Sequence, residues 1–109
     1  MYSKDNLGKM PKMAERGPKA KAAFRAWDKV ALEEGAIPKK YKELMAISVA
    51  LTTKCPYCID IHRQEALKAG ASEQELVELV HVAAALRAGG PSRTALICWK
   101  ADLPSRSDG

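Results

Sequence analysis

Cysteine is scarce in this chain, with three in 109 residues. An odd and sparse set excludes the disulfide-dense scaffold of a small secreted domain. Aromatics are scarce too: one Phe, two Trp and three Tyr. None of them alternates with the lysines, so the stacking platform that single-stranded nucleic acid requires is missing. The longest apolar run, residues 44–51 with Ser48 inside it, is far too short to span a bilayer. Residues 1–13 hold no apolar core of a secretory signal. No segment shows the alternation of a strand, and no internal repeat is visible. These absences point to a cytoplasmic, single-domain, all-α protein with reduced thiols at rest and no nucleic-acid or membrane partner.

The charge is unevenly placed. Residues 1–42 carry 11 Lys and Arg against 5 Asp and Glu, while residues 43–109 carry 7 against 8. Without a nucleic-acid motif, the basic half reads as a solvated face.

The pattern divides into a basic arm at 1–17, a helical domain at 18–102 and a tail at 103–109. Pro11 can open a short turn through Arg16. Pro18 opens a helix with Ala20, Ala23, Phe24, Trp27, Val30 and Ala31 at helical spacing, ending by Gly35. Phe24 and Trp27 read as core or as a subunit contact. The helix after Ile37-Pro38 is apolar nearly all round, from Tyr41 and Leu44 to Leu51, which predicts burial on most sides. Glu43 is its polar exception. The next helix runs from about Cys55 to Ala69, with Gly70 beyond its end. Ser72-Glu73-Gln74-Glu75 is a capping box, and Leu76, Leu79, Val80, Ala83 and Leu86 give the helix after it an apolar stripe. Gly89-Gly90 predicts its stop. Pro91 then predicts a last helix with Ala95, Leu96 and Trp99 inward. The sum is a compact bundle of five to six helices.

Its chemistry is concentrated in Cys55-Pro56-Tyr57-Cys58-Ile59-Asp60-Ile61-His62. Pro56 suits the first helical position, which makes Cys55 the cap and puts Cys58 in the first turn. Residues three and four apart share a helix face, so Cys55, Cys58 and His62 form one stripe. The free N–H groups at a helix start favour a thiolate over a thiol, and thiolate is the reactive form. An imidazole one turn on can take or return the proton. Three other readings compete. Cys55, Cys58 and His62 with Cys98 or His81 could ligate zinc, although structural sites usually pair two knuckles. The Cys-Pro-Tyr-Cys tetrad resembles that of glutaredoxins, but the segment before Cys55 reads as helix, not strand. Buried cysteines can also be inert, and for Cys98 that is the simplest account.

Glu43, then Cys55 twelve residues on, then Cys58 and His62, resembles the Glu…Cys-x-x-Cys-x-x-x-His signature of the AhpD-like alkylhydroperoxidases. These belong to the carboxymuconolactone decarboxylase superfamily. The likeness extends over roughly residues 20–100, including Tyr41-Lys42-Glu43-Leu44 and residues 66–72. It implies an all-helical fold and trimeric or hexameric assembly; with one CxxC and no second knuckle pair, neither a cofactor nor a metal is expected. It also implies roles: Cys58 as peroxidatic nucleophile, Cys55 as resolving thiol, His62 and Glu43 as proton relay. A small hydroperoxide would be the substrate and a dithiol protein the reductant. Tyr57 stands where some members carry a histidine; it can donate a hydrogen bond but not act as a base at neutral pH. A decarboxylase-type lyase using His81, or a non-catalytic assembly protein, are the alternative outcomes. The relay is geometrically feasible. In an antiparallel hairpin Glu43 lies about 13 Å back from the turn and His62 about 10 Å beyond it, at nearly matching depth.

Overall fold

The computed structural model describes residues 2–99. Among them are five α-helices and one 3-10 helix, with no strand. The 3-10 helix, Lys4–Lys9, leads into α1 (Met10–Arg16). Next come α2 (Pro18–Leu32), α3 (Lys39–Thr53), α4 (Pro56–Lys68) and α5 (Glu73–Ala95). Proline stands in the first turn of α1, α2 and α4, where its missing N–H leaves no carbonyl unpaired.

The centre is the pair α3 and α4, with α5 packed against α3. Ile47, Ala66, Ala71 and Leu79 form the buried core, flanked by Leu44, Leu51 and Leu76. Alanines at 66 and 71 let the helices approach closely. Two turns set the geometry. After α4, Gly70 takes φ +97°, and Ala71 N–H donates to Ala66 O at 2.9 Å. This is a Schellman stop, in which glycine carries the left-handed residue without a Cβ clash. After α3, Lys54 takes the same left-handed role at φ 58°, and Cys55 N–H donates to Ala50 O at 3.0 Å. The start of α5 carries the expected capping box. Ser72 Oγ accepts from Glu75 N–H at 3.1 Å, and Glu75 Oε1 accepts from Ser72 N–H at 2.8 Å.

α2 is tied to α3 by lysines of α3 that reach its free C-terminal carbonyls. Lys42 Nζ donates to Glu33 O at 2.8 Å, and Lys39 Nζ to Leu32 O at 3.4 Å. Lys40 pairs with Glu75 at 3.0 Å and so joins α3 to α5.

Several expectations are corrected. Gly89-Gly90-Pro91 does not divide a helix; α5 runs through all three to Ala95. Pro91 removes only one donor, and the carbonyl it frees belongs to exposed Arg87, where water can satisfy it. Beyond it, Ala95, Leu96 and Trp99 do not turn inward; Leu96 is 62% exposed. α3 buries one stripe, Glu43, Ile47 and Ala50, and leaves Tyr41, Met45 and Val49 in the open. Only one side of α3 meets α4 and α5 within a single chain. On α5, Leu79 and Ala83 are buried while Val80 and Leu86 are exposed. Phe24 and Trp27, at 53% and 72% exposed, are not core within one chain. Cys98 is exposed and so is not an inert buried thiol. Residues 103–109 lie outside the described residues.

Candidate active site

Cys55 sits between two helices and is held by both. Its N–H closes the end of α3, and its extended backbone (φ −108°, ψ 90°) makes it the N-cap of α4. Its Sγ accepts from Cys58 N–H at 3.3 Å, the bond a serine cap would make with oxygen. The two Cα atoms stand 5.3 Å apart, inside the range a disulfide spans. Cys55 and Cys58 are joined by that disulfide.

One turn beyond Cys58, His62 Nδ1 lies 2.6 Å from Glu43 Oε2. The contact crosses from mid-α4 to the first half of α3, so the two helices run antiparallel. Glu43 is 1% exposed, the most buried polar residue described. An unpaired carboxylate at that depth costs several kcal/mol, roughly the penalty for any ion moved out of water. Here both oxygens are used. Oε2 faces His62, and Oε1 accepts from Lys39 Nζ at 2.8 Å. A carboxylate on Nδ1 fixes that nitrogen as the donor and leaves Nε2 as the free ring nitrogen. Hydrogen bonding to Glu43 holds the Lys39 ammonium above the ordinary lysine value; partial burial opposes it, and the charges of Glu43, Glu65 and Glu34 add to the rise.

The structure thus brings Glu43 to His62 and Cys55 to Cys58, and His62 and Cys58 line one groove. His81 is exposed on α5 and does not line that groove. Among the described residues no three His, Cys, Asp or Glu side chains converge as a metal site. Two participants are not visible in the motif. Lys39 lies four residues before Glu43, a spacing that puts both on one helix face, and that was the available signal. The arm was the other. Asn6 Nδ2 donates to Tyr57 Oη at 2.9 Å, Tyr2 meets the Tyr57 ring edge-on at 6.0 Å, and Lys4 pairs with Asp60 at 3.1 Å. No sequence pattern announces those contacts.

A buried acid–imidazole couple beside a CxxC at a helix start, in an all-helical frame, defines a dithiol protein of the AhpD-like class. The carboxymuconolactone decarboxylase family model matches residues 18–101, and the chain belongs to that family. It is 43% identical over 67 residues to the uncharacterized protein 4 in the cox locus of Paracoccus denitrificans, covering 62% of this chain and 60% of that protein. An uncharacterized protein of Cupriavidus necator is 30% identical over 79 residues, 72% of this chain and 69% of its own length. The apo structure of a carboxymuconolactone decarboxylase family protein from Legionella pneumophila superposes with a TM-score of 0.70 at 34% identity. That match covers 84% of this chain and 80% of the other. A Methanobacterium thermoautotrophicum protein superposes at 0.74 and 30% identity, covering 83% and 98%.

Proposed function

We propose that this protein is a thiol-dependent peroxidase that reduces hydroperoxides through Cys58 and Cys55. The observation that carries the reading is the Glu43–His62 contact at 2.6 Å, one helical turn from a cysteine pair able to form a disulfide. In the reduced protein, His62 takes the Cys58 proton while Glu43 holds the ring. The Cys58 thiolate attacks the outer oxygen of a hydroperoxide. An S–O bond forms, the O–O bond breaks, and the alcohol leaves with a proton returned through His62. The sulfenic acid on Cys58 condenses with the Cys55 thiol, releasing water and leaving the disulfide. An external dithiol protein then restores both thiols by exchange.

The same reading includes self-association as a trimer or hexamer. Trp27, Met45, Val49 and Leu86 stand exposed on the single chain, and further copies would cover them. No helix among the described residues is long and apolar enough to cross a membrane.

The test is a thiol count. Reduced protein treated with one equivalent of cumene hydroperoxide should lose two free thiols and gain an intramolecular disulfide. Cys58→Ser should abolish this, and Cys55→Ser should stop at a sulfenic acid that dimedone traps. Unchanged thiols in the wild type reject the peroxidase reading.

A further inference from the structure

The groove that contains Cys58 and His62 is much larger than a peroxide group. It measures about 1060 Å³ and lies between α4, α2 and the 3-10 helix and α1 of the arm. Drug-sized ligands fill roughly 300–1,000 Å³, so the space suits a substantial organic body. Half of its wall is arm. The arm lies outside residues 18–101, where the family model matches.

The lining has two characters. Met10, Met13, Phe24 and Ile61 offer an apolar surface, and all four stand more than a third exposed. Methionines adapt to flexible chains better than branched residues do. Lys9, Lys21 and Arg25 add three cations, against the single carboxylate of Asp28. Among the described residues none of these three cations is in an ion pair. Lys21 lies over the Phe24 ring at 5.7 Å, so charge and apolar surface alternate along α2. An occupant therefore needs a long apolar body and one anionic group.

We infer that the groove binds fatty-acid hydroperoxides, the carboxylate held by Lys21 and Arg25 of α2 and the chain lying on Met10, Met13 and Phe24, so that the peroxide reaches Cys58. This rests on the peroxidase reading and supplies its substrate class. The redox step is unchanged: the hydroperoxide becomes the hydroxy fatty acid as the two thiols become the disulfide and water.

Single-turnover thiol loss in the reduced full-length protein compares linoleic acid hydroperoxide with its methyl ester, each below its critical micelle concentration. The acid should react about tenfold faster than the ester. In a Lys21→Gln, Arg25→Gln double variant the ratio should fall to about one. Equal rates in the wild type, or a preference that survives the double variant, overturn the inference and leave the peroxidase reading standing. Calorimetric titration of the disulfide form with linoleic acid, which carries no peroxide, gives an independent measure. Binding lost in the double variant supports the groove even if no hydroperoxide oxidises the thiols, a result that would reject only the peroxidase reading. If sedimentation shows that the double substitution dissociates an oligomer, the groove is a subunit contact and the inference fails.

Discussion

The α3–α4 pair and the rest of the molecule use similar residues to opposite effect. In the centre, Ile47 is 4% exposed and even a glutamate is sealed from water. Along α2 and the middle of α5, Phe24, Trp27, Val82 and Leu86 stand open. Hydropathy does not distinguish these regions; neighbours do. α3 has both α4 and α5 packed against it, whereas α2 touches α3 chiefly through lysine caps on its C-terminal carbonyls. The site is thus built where packing is tightest, and the open faces are left for something outside the single chain.

The largest expected effect tests that contrast directly. Ile47→Ala should lower stability by about 3 kcal/mol in urea unfolding, through lost transfer energy and the cavity left behind. Trp27→Ala should change it by no more than about 0.5 kcal/mol at low protein concentration. A loss at Trp27 that grows with protein concentration would mean a second copy covers that face, and the two regions would then be alike in the assembly.

Next in size is Glu43→Gln. It keeps the shape but removes the charge-assisted bonds to Lys39 and His62, and should cost about 2 kcal/mol. The matching exposed pair, Lys68 with Glu65, should show almost no effect when Glu65 becomes Gln. Comparable losses at both would erase the distinction between centre and surface.

Gly90→Ala comes third and has the opposite sign. A Cβ there meets nothing within 4 Å, and α5 is continuous through it. Thermal unfolding should show a gain of about 0.5–1 kcal/mol. A loss would show that the helix is interrupted there after all.

The smallest effect is a pH dependence. Glu75 is held below the ordinary carboxylate value by its hydrogen bond from the Ser72 backbone and then by its contact with Lys40. A depressed acid stabilises the fold above its unfolded pKa, and that contribution is lost as pH falls through the folded value. Acid titrations of stability should therefore flatten below about pH 4.5 in Glu75→Gln relative to wild type. Superimposable curves would remove Glu75 from the account.

Much was legible in the order of residues because the signals are local. Pro18, Pro56, Gly70 and the Ser72 box act within one turn, so helix starts and one stop could be placed without any tertiary knowledge. The cysteine–histidine spacing is likewise local to one helix, and the hairpin arithmetic needed only helical rise. The same locality misled at Gly89-Gly90-Pro91. Those residues weaken a helix but do not forbid one whose freed carbonyl faces water.

What the sequence determined alone was an all-helical chain with two sulfurs and an imidazole on one stripe, because each of those facts depends on neighbours within a few positions. Tertiary structure decided the rest. It chose Lys39 as the counter-charge to a buried carboxylate, laid the arm against Tyr57, and left α2 and the end of α5 uncovered. Those outcomes depend on which surfaces meet, and contact between distant segments is governed by the packing of whole helices rather than by any short pattern.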